Sequence, residues 1–303
     1  MIGEVQRAPD LLLAIKQAVD ASDARGQFLI TGSANVLASR AVADALPGRV
    51  EYVNLWPLSQ GEVEGRKEAF IDRLLAGEPP RLSGEPSGRS VHAERIVRGG
   101  FPDARLRTDR QRGRYFGSYV RAVVGRDLAA VGSVRVSPDT LAQLLKLLAA
   151  RSGNLPSFSR LGRELELDGK TVKAHTAMLE ELFLVQRLRP WSRNVGSRHV
   201  KTPKLFVADT GLISALIGVD ARRYSAVDQG EIAGLLLETF VAMELVKQQT
   251  WALARAELFF YRDAQQREVD IVIESVAGGL SMSATNPSGS ERATLRVASS
   301  SRL

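Results

Sequence analysis

Apolar residues at 11, 12, 15 and 19 recur with helical spacing behind Pro9, so the pattern predicts an amphipathic helix over residues 8–20. The short run Gln27–Thr31 predicts a strand, and after a helical stretch at 34–46 a second run, Arg49–Leu55, predicts another. Strands alternating with helices imply a parallel sheet. Residues 77–90 are rich in glycine, proline and serine and read as a linker. Beyond them the period is purely helical, over 115–131, 139–151, 157–167 and 170–184. The segments LFLVQRL and KLFVAD then flank a basic turn, the layout of a two-stranded ribbon within 182–208. A further helix is predicted at 231–249, followed by two adjacent strands in LFFYRD and EVDIVIE. After Glu274 the alternation stops, and residues 275–303 hold eight serines, so this tail is expected to be disordered.

Composition removes several chemistries. The 303 residues include no cysteine, which excludes disulfides, iron–sulfur clusters, zinc thiolates and cysteine nucleophiles. The three histidines, His92, His175 and His199, have no metal-ligand spacing, and they offer little support for a Ser-His-Asp triad. No apolar run approaches the roughly 18 residues of a membrane span, and the N-terminus lacks a signal layout, so no membrane partner is expected and a cytoplasmic location is the default.

Charge is unevenly placed. The net charge of +7 has two local sources: Arg81 to Arg126 holds eleven arginines against four acids, and Arg187 to Lys204 holds six basic residues and no acid. Such segments suit a polyanion, nucleic acid above all. Scattered arginines also serve as ordinary solvated faces, and the approach to the 115–131 helix, including Arg107, Arg110 and Arg112, reads mostly as one.

Residues 154–204 follow the order of a winged helix-turn-helix: helix, the short turn Leu167-Asp168-Gly169, a second helix, then the basic ribbon. In that arrangement Lys170, Thr171, Lys173 and His175 start the helix that enters the major groove. Arg187, Arg189, Arg193, Arg198, Lys201 and Lys204 would then be wing contacts to phosphate, while Trp191 is expected to pack. Winged helices also serve as structural or protein-binding modules. Gly169-Lys170-Thr171 imitates the end of a phosphate loop, but Glu164 stands where that loop needs its first glycine, and the context is two helices rather than strand and helix.

Several further motifs occur in one order: Glu4-Val-Gln-Arg-Ala-Pro-Asp-Leu-Leu, Phe28-Leu-Ile-Thr-Gly-Ser33-Ala, Leu46-Pro-Gly-Arg49-Val, Leu55-Trp-Pro-Leu-Ser59 and Gly99-Gly-Phe-Pro102. They continue through Tyr119-Val-Arg-Ala-Val-Val-Gly-Arg-Asp127-Leu, Lys201-Thr-Pro-Lys-Leu-Phe-Val-Ala-Asp209-Thr-Gly211-Leu and Arg267-Glu-Val-Asp270-Ile-Val-Ile-Glu274. Over roughly residues 1–274 the chain thereby resembles a large prokaryotic family of AAA-type ATPases joined to a C-terminal winged helix and a restriction-nuclease-like fold. The resemblance implies an α/β protein with a partial AAA-type P-loop sheet in 1–76, a linker and helical segment in 77–134, a winged helix in 135–210, an incomplete nuclease-like domain in 211–274 and the tail 275–303.

The resemblance also marks departures. Where such ATPases end a strand in Asp-Glu, to hold Mg²⁺ and polarise water, this chain has Gly3-Glu4. Glu4 is thus a vestigial catalytic residue, and Ser33, Asn35 and Arg49, with Arg40 as the alternative arginine, are vestigial nucleotide-binding positions. In the nuclease-like part Asp270 matches the acidic strand end, and Glu238 or Glu244 could add a carboxylate, but no Glu-x-Lys follows Glu274, so metal-dependent cleavage is not expected. Both ends leave the family pattern, which reads as a degenerate relative truncated at each end. Its residual activity would be binding of duplex DNA or of a protein through the winged helix, with no cofactor. ATP and Mg²⁺ would enter only if a phosphate loop preceded Met1, the alternative being a functional ATPase whose true N-terminus is missing. A toxin–antitoxin or defence component acting by partner binding is a third reading, by analogy alone.

Phosphate recognition needs a ring of loop N–H groups and a cation. The chain is therefore expected not to bind Mg·ATP; isothermal titration showing micromolar affinity, about −8 kcal/mol, would overturn this.

Overall fold

The computed structural model describes residues 1–3, 5, 8–22, 24–32, 49–78, 88–131, 137–192, 194, 196, 198, 202–226, 230–263, 265, 267–276, 279–283 and 296–299. Strand β1 (Ile2–Gly3) pairs in parallel with β2 (Ile30–Thr31), and helix α1 (Pro9–Asp20) lies between them in sequence. The apolar face of α1 buries Leu12 and Ile15 against Val5, as its spacing predicts. The strand expected at Arg49–Leu55 is not formed. Past Val50, which packs on this small core, Tyr52, Val53 and Leu55 stand exposed, and without a neighbouring ladder an extended segment stays irregular.

Residues 56–76 leave that unit. Helix α2 (Gln60–Val63) begins with a capping box between Ser59 and Glu62, and α3 (Phe70–Leu75) buries Ile71 and Leu74 in a core with Leu188, Phe206 and Val246. A division drawn at residue 76 from sequence is thus crossed by packing.

The middle of the chain is helical: α4 (Arg89–Arg98), α5 (Pro102–Arg105), α6 (Asp109–Val131), α7 (Pro138–Ala149), α8 (Phe158–Leu165) and α9 (Gly169–Glu181). Its core joins Phe116, Val120 and Val124 of α6 to Leu141, Leu144, Leu145 and Leu148 of α7, and to Val172 and Leu179 of α9. Arg112, expected on a solvated face, is buried and paired with Asp109, because its position on α6 turns inward. The α8–α9 turn is tight. Glu166 takes φ 56°, and a Cβ at Gly162 would lie 2.4 Å from the Leu167 carbonyl.

Strands β3 (Val185–Pro190) and β4 (Lys204–Val207) form the expected antiparallel ribbon. After α10 (Thr210–Ile217), α11 (Ala221–Ser225) and α12 (Gly230–Gln249) come β5 (Ala256–Arg262), β6 (Glu268–Ser275), β7 (Gly279–Ser283) and β8 (Arg296–Ser299). The six strands join in the order β4-β3-β5-β6-β7-β8, with β3–β5 parallel and every other pair antiparallel. The ribbon is therefore one end of a sheet. The tail expected to be disordered supplies β7 and β8, since ladder hydrogen bonds along the outer edge of β6 need no apolar alternation.

Three of the sequence motifs meet at one buried carboxylate. Asp209, 2% exposed, accepts hydrogen bonds from the Gly100 N–H at 2.7 Å and the Leu212 N–H at 3.0 Å, so it caps α10 and holds the 99–100 turn together. The Leu58 N–H donates to the Gly100 carbonyl at 2.9 Å, and Lys247 Nζ of α12 donates to the Leu58 carbonyl at 3.0 Å. Gly99 has φ +64°, and a Cβ there would lie 2.2 Å from Asp209; one on Gly100 would lie 2.1 Å from the Leu58 carbonyl. Replacing Asp209 with alanine strands two buried N–H donors and removes a cap, an expected loss of about 2–4 kcal/mol. Urea denaturation checks this, and stability within about 0.5 kcal/mol of wild type would contradict it.

Candidate functional site

Beside the middle of α12, four charged side chains converge. Lys204 Nζ lies 2.7 Å from Glu238 Oε1, 2.5 Å from Glu268 Oε1 and 3.3 Å from Asp270 Oδ1. The Lys204 side chain is 4% exposed. Glu238 comes from α12, Lys204 from the first position of β4, and the two acids from β6.

A bulge makes this possible. The β5–β6 register shifts between Phe259 and Tyr261, leaving Phe260 opposite two residues, Asp270 and Ile271. Val272 and Val269 consequently pack on the same side, with Phe259, Tyr261 and Trp191, although strict alternation would separate positions three apart. Ile271 and Ile273 face the core beneath α12, and Glu268 and Asp270 reach the Lys204 ammonium.

The electrostatics follow from three acids around one base. Burial opposes the Lys204 charge, but Glu238, Glu268 and Asp270 outweigh it and raise its pKa. Burial raises the Glu238 pKa, with Asp270 and Glu268 adding to it and Lys204 opposing. Both shifts favour the protonated forms, as expected where carboxylates exceed cations.

Mg²⁺, which the nuclease resemblance would bring, does not fit these residues. The ammonium already lies within contact of all three carboxylates, and among the described residues no group of three potential ligands is arranged for a metal. Asp270 and Glu238 are thus brought together as the sequence suggested, around a lysine. Glu244, the other candidate, instead accepts from the Gln60 N–H at 2.7 Å and pairs with Lys247 at 2.7 Å. Glu268 stands two positions from Asp270 on the same strand, so alternation alone already places both on one face.

The expected wing contacts divide. Lys204 is buried in the cluster, and Arg198 makes a bidentate pair with Glu274, at 2.5 and 3.0 Å, beneath Trp191 and Phe259. Neither can serve as a free phosphate contact, because the ribbon is built into the sheet opposite the acids of β6 and α12. Arg187 pairs with Glu180 at 2.7 Å, whereas Arg189 is exposed with no carboxylate partner among the described residues. Arg193 and Lys201 lie outside the described residues, as do Glu4, Ser33, Asn35 and Arg40.

At the start of α9, Lys170 and Lys173 are exposed. Thr171 is committed to the cap, its hydroxyl donating to Asp168 at 2.5 Å. His175 is not at the surface: it is 4% exposed, its Nδ1 has no hydrogen-bond partner among the described residues, and burial lowers its pKa. Arg49 pairs with Asp20 at 2.5 Å and donates to the Val19 carbonyl, tying down the end of α1. Among the described residues no helix is long and apolar enough to cross a membrane.

The sequence is similar to three protein families in succession. Residues 1–64 match an AAA domain, 91–223 a domain of unknown function (DUF8612), and 233–281 another domain of unknown function (DUF4143). The similarity to AAA-type ATPases is thereby supported at the N-terminus. Uncharacterized proteins of Mycobacterium bovis and Mycobacterium tuberculosis are each 30% identical over 274 residues, which is 90% of this chain. The chain spans 55% of the length of these relatives. No solved structure matches it.

The raised pKa of Glu238 has a testable sign. The folded state binds this proton more tightly than the unfolded chain, so the stabilisation is complete below the ordinary glutamate pKa and is lost as pH rises through the folded value. Glu238→Gln should remove this part of the pH dependence. The stability difference between wild type and variant, from urea midpoints between about pH 4 and 7, should therefore shift steadily against wild type as pH rises. Parallel curves would contradict it.

Proposed function

We propose that this chain is a duplex-DNA-binding relative of AAA-type ATPases, and that α7, α8 and α9 with β3 and β4 act as a winged helix whose recognition helix is α9. The supporting observation is the start of α9. Asp168 accepts from the Lys170 and Thr171 N–H groups at 2.8 and 2.9 Å, which fixes the first turn, and Lys170 and Lys173 project from it without carboxylate partners among the described residues. Ordered backbone beneath two unpaired lysines suits a helix that docks N-terminus first in a major groove. The role left to the ribbon is smaller than its charge suggested, with Arg189 its one exposed cation among the described residues.

The carboxylate–lysine cluster is proposed as structural in this reading. It locks β4 and β6 to α12 and so fixes the ribbon that follows α9. The nuclease-like part then serves as a platform for the binding module rather than as a cutting centre.

Lys170→Ala with Lys173→Ala should weaken duplex binding or change its sequence preference. Each lost phosphate contact should lower the salt slope by about 0.9. Fluorescence anisotropy checks this, and unchanged affinity, slope and preference would overturn the assignment of α9.

A further inference from the structure

Helix α6 carries a charge pattern that the binding module does not use. Arg110, Arg114 and Arg121 are separated by four and seven residues, so they fall within about 40° around the helix and extend over about 16 Å of its length. All three are exposed. None has a carboxylate partner among the described residues, and Arg121 donates only to the Ser118 hydroxyl, at 3.4 Å. The acid that opens the helix, Asp109, is taken by the buried Arg112.

Several arginines elsewhere in the described chain are paired with carboxylates. Arg95 meets Glu64, Arg98 meets Glu94, Arg151 and Arg160 share Glu164, and Arg198 meets Glu274. A row of three on one helix face without counter-charge is a different arrangement. The same face is kept low. Gly113, Gly117 and Gly125 flank the row, and Cβ atoms built at Gly113 and Gly125 meet nothing within 4 Å, while one at Gly117 meets only the tip of Arg121. Glycine is the poorest helix former after proline, and at these positions no packing within the described chain requires it. A surface without side chains between arginines lets a partner approach the helix backbone closely.

We propose that this face of α6 is a second nucleic-acid surface, on which Arg110, Arg114 and Arg121 contact the phosphodiester backbone of a duplex without reading its sequence. Guanidinium groups suit this role because each offers a fork of donors to phosphate oxygens. The row spans about five base-pair steps at 3.4 Å each, within reach of successive phosphates for side chains of this length. The proposal rests on the reading that the protein binds DNA, and it adds a surface separate from α9.

The test compares the full chain with two variants, Arg110→Ala/Arg114→Ala/Arg121→Ala and Lys170→Ala/Lys173→Ala. Anisotropy is measured with a labelled duplex of about 30 base pairs over about 50 to 200 mM salt. The arginine variant should bind all sequences more weakly, with a salt slope reduced by about 2–3 units for three lost contacts. If it retains the wild-type slope while the lysine variant loses binding, the α6 surface is wrong and α9 stands. If the arginine variant alone loses binding, the α6 surface stands and the assignment of α9 is wrong. No duplex binding by wild type overturns both, and stronger binding to phosphatidylglycerol vesicles than to duplex overturns the choice of partner.

Glycine variants provide a second readout that misfolding cannot mimic. Gly113→Ala, Gly117→Ala and Gly125→Ala together should raise the thermal midpoint by about 2–4 °C per substitution and weaken duplex binding, because added methyl groups hold the backbone away. A raised midpoint with unchanged affinity would contradict the close approach.

Discussion

A single buried carboxylate holds the two halves of this molecule in register. Asp209 receives the Gly100 and Leu212 N–H groups, and through Gly100 and Leu58 it is linked to Lys247 on α12. Four chain segments far apart in sequence thus share one small polar junction. Such a group is costly to bury unless its acceptors are filled, and filling them requires the 99–100 turn and the start of α10 to be in place together. The glycines follow from the same constraint: the backbones pass too close for a Cβ at 99 or 100.

The polar contacts beside this junction explain why residues 56–76 belong with the C-terminal sheet. Ser59 pairs with Glu68, Gln248 accepts from the Phe70 N–H, and the Trp251 indole donates to the Glu68 carbonyl. The Glu68 carboxyl is raised by burial and by Glu244, so the network favours keeping a proton there. By contrast, among the described residues β1, β2 and α1 share a core of three buried side chains, Val5, Leu12 and Ile15, and leave Phe28, Leu29 and Leu13 exposed. The segment similar to an AAA domain therefore contributes to two separate packing units.

Charge is used in two ways along the chain. The basic residues of the ribbon are largely consumed within the fold, Lys204 by three carboxylates and Arg198 by Glu274. Arg110, Arg114 and Arg121 of α6 and Lys170 and Lys173 of α9 remain at the surface. Net charge could not separate these cases, because an ion pair across a sheet joins residues that are distant in sequence. For Lys204 the nearest partner in sequence is 34 residues away and the farthest is 66.

The sequence by itself determined what depends on neighbours a few residues apart. Helical spacing placed α1, α6, α7, α8, α9 and α12, and alternation with flanking turns placed β3, β4, β5 and β6. It also excluded cysteine chemistry outright and identified Asp270 and Glu238 as acids to watch. Tertiary structure decided the rest. The bulge opposite Phe260 turned Asp270 and Glu268 toward α12, the sheet absorbed the ribbon, and the edge of β6 gave the serine-rich tail its strands. The missing strand at Arg49–Leu55 and the buried His175 have the same origin. Local pattern states what a segment can form, but only packing supplies the ladder, the counter-charge or the burial that decides whether it does.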